Sequence, residues 1–194
     1  MADPSLAGVI NHGLSVCYGP VKWKPDLALI TFQGGGADKT VQKKPPREFL
    51  YAHDPYKFGT AVRRFSQEAR MLDNIKTNSI AHPVVFPQGP TAEAGKWMAR
   101  SGPRSSWREF SLDYLEKLLL AQAPKVVMVF GSKASELLEI AWNRRAYNHP
   151  QGHMTFGLGE VLGRPAVYCH HLSIGCPSEE AKRCFCTAHD LMKA

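Results

Sequence analysis

Five consecutive apolar residues, Val126-Val127-Met128-Val129-Phe130, run between Pro124-Lys125 and Gly131-Ser132. Side chains alternate along a strand, so a run without a polar member has to be covered on both faces. That suits a strand inside a parallel sheet with helices on either side. Leu27-Ala28-Leu29-Ile30-Thr31, ahead of a glycine cluster, makes the same demand, and Arg164-Pro165-Ala166-Val167-Tyr168-Cys169 reads as a last strand. Asn78 to Phe86 predicts a fourth strand entering a loop at Pro87-Gln88-Gly89-Pro90.

Helical spacing fills the gaps. Ala61, Val62, Phe65, Ala69, Leu72 and Ile75 predict a helix over Phe58 to Ile75. Ser105 or Ser106 is placed to cap a helix from Trp107 to about Ala121, with Glu109 completing a capping box. A short helix opens at Gly131-Ser132 and runs through Ile140. Pro177 starts a final one from Ser178 to about Met192, with Glu179 and Glu180 in its first turn. The alternation gives an α/β fold class over residues 1–194 as one domain: a three-layer α/β/α sandwich around a central, mainly parallel four-stranded sheet.

Composition narrows the function classes. Lys plus Arg number 24 against 17 Asp plus Glu, a net charge of +7, which suits a polyanion partner or simply a soluble basic protein. Several Arg residues fall in predicted loops or helix starts, among them Arg63, Arg64, Arg100, Arg104, Arg108, Arg144 and Arg145. No stretch approaches the roughly 20 apolar residues that span a bilayer, and Met1 to Leu14 lacks a basic start and a sustained apolar run. The expectation is a cytoplasmic protein with no membrane partner and no signal peptide. Cys169, Cys176, Cys184 and Cys186 gather late in the chain, separated by seven, eight and two positions, without a CxxC pair. Together with an odd total of five, this argues against a disulfide scaffold and against a zinc or iron–sulfur site. No cofactor is expected.

Three loops follow strands: Phe32 to Asp38, Asn78 to Pro90, and His170 to Pro177. In an open parallel sheet, loops at the carboxyl ends of strands line one crevice, where ligands bind. These loops, in this order, resemble those of the uracil-DNA glycosylase superfamily. Leu29-Ile30-Thr31-Phe32-Gln33-Gly34-Gly35-Gly36 resembles its Gly-rich first motif, and His171-Leu172-Ser173 resembles its late His-Pro-Ser. Pro124 to Ala134 is similar to the strand–Gly–helix unit of its iron–sulfur and related branches. The likeness covers roughly Leu27 to Ser178. Three departures stand out. Gly34 and Gln33 occupy the places where a water-positioning Asp, Asn or Glu is expected, Leu172 replaces the usual Pro, and the cysteine set of the iron–sulfur branch is missing. His53-Asp54-Pro55-Tyr56 looks like the Asp-Pro-Tyr of the best-known branch, but taking it as the first motif leaves the strand Leu27 to Thr31 without a counterpart.

The resemblance implies a glycosylase acting on uracil-containing DNA, and a monomer is expected. His171 is then the catalytic donor to the departing uracil anion; as a bare sequence position, without the resemblance, it reads more readily as a structural histidine. Gln33 and Gly34 are implied at the base, Phe49 as the stacking aromatic and Asn78 as the reader of the base edge; an ordinary core Phe and a loop Asn are the alternatives. Ser132, Lys133 and Ser173 are implied contacts to DNA phosphates, and Ile174 an apolar wedge near the groove. His170 is expected to face away from His171, because strand side chains alternate. The competing classes are a non-catalytic relative that binds uracil or abasic DNA, and an unrelated α/β nucleotide-binding enzyme, which the missing G-x-G-x-x-G spacing disfavours.

Overall fold

The computed structural model describes residues 13–35, 42, 44–53, 55–89, 91–99 and 101–194. Six strands form one sheet: β1 (Leu27–Gly35), β2 (Ser79–Gly89), β3 (Val126–Phe130), β4 (Trp142–Ala146), β5 (Phe156–Val161) and β6 (Arg164–Cys169). Their order across the sheet is β2-β1-β3-β6-β5-β4. β2, β1, β3 and β6 are parallel, and β5 and β4 continue the sheet antiparallel from β6. The fold is therefore α/β with a mostly parallel sheet, and the expectation of four strands is corrected to six.

Residue alternation sorts the core into two faces. Leu27, Leu29, Val126, Met128, Phe130, Val167 and Cys169 face one way, where they meet Val62 and Phe65 of helix α1 (Lys57–Glu68), Ile75 of α2 (Leu72–Asn78) and Phe185 of α5 (Ser178–Lys193). Ala28, Ile30, Val127, Val129, Ala166 and Tyr168 face the other way, toward Leu115 and Leu119 of α3 (Pro103–Gln122) and Ala134 of α4 (Ser132–Leu137). The unbroken apolar runs of β1 and β3 are the direct consequence of this double covering.

Four local readings change. The stretch Phe58 to Ile75 is two helices, because α1 ends in a Schellman closure: Arg70 takes φ +58°, its N–H reaches the Gln67 carbonyl, and the Met71 N–H reaches Ser66. α4 stops at Leu137 for the same reason, with Glu139 at φ +51° and the Ile140 N–H on the Ser135 carbonyl. α3 starts four residues before the predicted Trp107, with Gly102 at the cap and Pro103 at its first position. The expected capping box is absent, and Ser105 Oγ instead donates back to the Gly102 carbonyl at 2.7 Å. β1 continues beyond Thr31 to Gly35, pairing Gln33 with Val85 and, after a register shift, Gly35 with Gly89.

The two antiparallel strands, β5 and the edge strand β4, were hidden by their composition. β4 carries three exposed residues, Asn143, Arg144 and Arg145, and β5 carries two glycines. Those glycines make room for the Trp142 ring. A Cβ at Gly159 would lie 2.5 Å from the Ala141 carbonyl oxygen and 3.0 Å from the Trp142 ring; one at Gly157 would lie 3.1 Å from both Trp142 and Tyr168 Cβ. Because the obstacle at Gly159 is backbone, Gly159→Ala is expected to cost about 1–3 kcal/mol, read as a lower denaturant midpoint with an unchanged slope.

Candidate functional site

The register of the parallel strands lines up one edge of the sheet. Thr31 pairs with Phe130, and Phe130 pairs with Cys169. Two positions past this line come Gln33, still in β1, and His171, just beyond β6, whose ring meets Phe58 on the same face. Between them, Gly131 ends β3 with φ +87° and donates its N–H to the Cys169 carbonyl at 3.0 Å. A Cβ there would meet His171 Cβ at 3.4 Å, so the turn lets the His171 side chain lie close against it.

His171 is held in one protonation state by this setting. Burial, then the neighbouring His170, pushes its pKa down to about 4. Its Nδ1 accepts the Ser173 N–H at 3.4 Å, which puts the ring proton of the neutral form on Nε2. Phe58, at the start of α1, lies 5.1 Å from the imidazole at an interplanar angle of 32°. The arrangement presents a neutral N–H donor beside an aromatic face.

Gln33 contributes an oriented amide. Its Nε2 donates to the Gly89 carbonyl at the end of β2 (2.7 Å), which fixes the group's orientation. Its Oε1 is buried and has no hydrogen-bond partner among the described residues, and the same holds for Thr31 Oγ1, two residues earlier on the same face. Buried polar atoms cost free energy when left unpaired. Gly34 lies in the irregular register between β1 and β2, and Gly36 is outside the described residues.

Lys133 and Ser132 open α4 at the same edge. Lys133 Nζ stands 5.7 Å over the Phe32 ring. Ser132 turns toward the opposite face, where a cavity of about 320 Å³ is also lined by Trp142, Arg145, Tyr168 and His170. His170 is buried on that face, 5.0 Å from the His149 ring and 5.6 Å from His153. Burial first, then these two rings, lowers its pKa. Past His171, Ser173 is half-buried and Ile174 is 62% exposed, the tip of a turn closed by the Ile174 N–H on the His171 carbonyl.

Two expected residues lie elsewhere. Asn78 is the last residue of α2 and precedes β2, so it sits at the amino edge of the sheet, a strand length away from His171. Its Nδ2 donates to Asp26 Oδ2 at 2.8 Å, beside Asn74 at 2.6 Å, while Lys125 pairs with Asp26 Oδ1 at 2.8 Å. Burial would raise the Asp26 pKa, but these three partners outweigh it and hold the carboxyl below its ordinary value. Asn78 therefore buttresses the amino edge and is withdrawn as a base reader. Phe49 is 1% exposed, and rings separate it from the crevice: Phe49 packs on Tyr51, Tyr51 on Phe58 and Phe58 on His171. The aromatic beside His171 is Phe58, which helical spacing marks only as an apolar position. Of the Asp-Pro-Tyr look-alike, Asp54 is outside the described residues; Pro55 and Tyr56 lead into α1 and follow no strand, and His53 pairs with Glu48 at 3.2 Å.

A scan against protein-family models and a search of curated proteins give no match for the chain. No described helix is long and apolar enough to cross a membrane.

The depressed His171 pKa has a sign that can be checked. Between the folded value of about 4 and the unfolded value near 6.5, the unfolded chain binds the extra proton, so this group makes stability rise with pH across that window and contributes nothing above it. An NMR titration of the His171 Cε1–H signal is expected to give a midpoint near 4; one in the ordinary imidazole range would contradict the neutral-donor geometry.

Proposed function

We propose that the carboxyl-edge crevice binds DNA and hydrolyses the N-glycosidic bond of uracil, leaving an abasic site, as the likeness to the uracil-DNA glycosylase superfamily implies. The observation that carries this reading is the neutral His171, with its proton on Nε2, on the same sheet face as the Gln33 amide. As the bond between C1′ and the base lengthens, negative charge gathers on the uracil oxygens. A neutral N–H aimed there stabilises the departing anion and need not lose its proton; one such donor is worth roughly 3–4 kcal/mol. Water adds its oxygen to C1′, and its two hydrogens end on the new sugar hydroxyl and on the released base.

Gln33 supplies discrimination. With Nε2 engaged by the Gly89 carbonyl, the amide is left with Oε1, an acceptor, unpaired among the described residues. Uracil offers N3–H to an acceptor, whereas cytosine presents a lone pair at N3 and is repelled. Ser173 is suited to a neighbouring phosphate, and the exposed Ile174 to propping the emptied stack. Lys133, over the Phe32 ring, and Ser132 meet phosphate only from the other side of the edge.

One observation favours a second reading, a binder of uracil or abasic DNA: an amide and a glycine, Gln33 and Gly34, stand where a water-activating carboxylate is expected. Incubation with single- and double-stranded oligonucleotides carrying uracil, hypoxanthine or xanthine, followed by alkali, separates the two. Alkali-labile sites mean excision; retention of the oligonucleotide without them means binding alone.

For the enzyme, His171→Ala is expected to lower single-turnover excision by about 10²–10³-fold. Gln33→Ala should act mainly on substrate affinity and on uracil-over-cytosine preference, with a far smaller effect on rate. Asn78→Ala should leave excision unchanged while lowering stability. Parental excision by His171→Ala would refute the assignment.

A further inference from the structure

An extra residue in β4 re-aims an arginine. Trp142 pairs with Gly159 and Arg144 with Leu158, so Asn143 is left over as a bulge. Directly paired residues point to the same face of a sheet, and faces alternate along each strand. Trp142 and Arg145 therefore share the face of Gly159, Gly157, Ala166 and Tyr168, the side covered by α3 and α4. Arg144 turns with Leu158 and Val167 to the side covered by α1 and α5. Without the bulge, Arg145 would face away from Trp142.

The re-aimed side chain lines the cavity of about 320 Å³ beside α4. The Trp142 ring forms its floor. It lies over Gly157 and Gly159, where no side chain lifts it off the sheet, and its Nε1–H donates to Ser135 Oγ at 2.7 Å, which ties it to α4. Arg145 donates its Nε–H to the Trp142 carbonyl at 3.0 Å, and its guanidinium has no carboxylate partner among the described residues. Ser132 is an exposed lining residue, and Glu136, four residues on, shares its face of α4. His170 closes the cavity at the carboxyl edge; it is 5% exposed, and its Nδ1 has no hydrogen-bond partner among the described residues.

We propose that this cavity binds a guanine nucleoside monophosphate, with the phosphate on Arg145 and Ser132 and the base against Trp142. A guanidinium with uncommitted N–H groups grips two phosphate oxygens at once. An indole face is a platform for a heterocycle, and the volume is that of a small-molecule site. Glu136 and Glu139, which also line the cavity, choose the base. A carboxylate accepts the adjacent N1–H and 2-amino groups of guanine, whereas adenine turns a lone pair at N1 toward it. A bare phosphate answers Arg145 but leaves the ring platform and both carboxylates unmatched. The same chemistry is offered by a free mononucleotide and by the 5′-phosphorylated end of a strand. The cavity lies on the opposite sheet face from His171 and Gln33, and its occupancy does not depend on the reaction proposed for them.

The test is calorimetric titration of the native protein with guanosine 5′-monophosphate, adenosine 5′-monophosphate, guanosine and inorganic phosphate, and with a 5′-phosphorylated trinucleotide that has guanine at its first position. One guanine ligand is expected to bind per chain; whichever of the mononucleotide and the phosphorylated end binds more tightly identifies the source. Adenosine monophosphate, guanosine and phosphate should each bind about tenfold more weakly or worse. Arg145→Gln should weaken binding about 10–100-fold. Arg144→Gln, the same charge change on the adjacent residue but on the other face, should leave it unchanged. Glu136→Gln combined with Glu139→Gln should erase the preference for guanine over adenine. No binding of either guanine ligand, equal losses in the two arginine variants, or phosphate binding as tightly as the nucleotide would each overturn the proposal.

Discussion

The shared register of β1, β3 and β6 is the constraint on which the rest of the molecule depends. Leu29 lies beside Met128, and Met128 beside Val167, so three chain segments far apart in sequence run in step, with β3 and β6 stopping level with Thr31 and β1 continuing to Gly35. The registry is enforced by burial on both faces, because a slip of one residue would turn every side chain of a strand to the wrong layer. Everything chemically notable at the carboxyl edge follows from it. Gln33 and His171 stand at one edge because their strands are held in step through β3. At the amino edge the same registry is secured by polar means, with Asp26 gathering Asn74, Asn78 and Lys125 beneath the starts of β1, β2 and β3.

Much of this framework was legible in the sequence. The runs at Leu27–Thr31, Val126–Phe130 and Arg164–Cys169 declare buried parallel strands, and β3 and β6 begin and end where their patterns do. Helix ends were harder to read, since both Schellman closures depend on Arg70 and Glu139 adopting left-handed backbone, and neither is the usual Gly or Asn. The edge hairpin escaped notice because Gly157 and Gly159 weaken any strand signal and serve a neighbour's bulk instead.

The site was legible in part. His171 could be placed because it immediately follows a strand with a clear end. Asn78 could not, since its role turns on whether it begins or ends a strand, and periodicity does not fix direction at a boundary. Phe58 illustrates a different limit. Its contact with His171 joins the first turn of α1 to the loop after β6, and spacing within α1 shows an apolar face without showing what that face meets.

The loop after β6 sets the chemical character of His171 as much as the ring itself does. Ser173 N–H occupies Nδ1, so the backbone shape of this short turn decides which nitrogen keeps the proton. Leu172, where the superfamily usually has proline, anchors the turn by packing into the apolar cluster. Proline would have fixed φ at that position; leucine leaves it to burial and to the Ile174–His171 hydrogen bond. In the proposed reaction that exchange has a consequence. An apolar anchor can loosen when the neighbouring α5 contacts change, and loosening it frees Nδ1, raises the local dielectric and restores the ring's ordinary basicity. The donor strength of His171 is then a property of how firmly the loop is held, which places Leu172 among the residues that govern it.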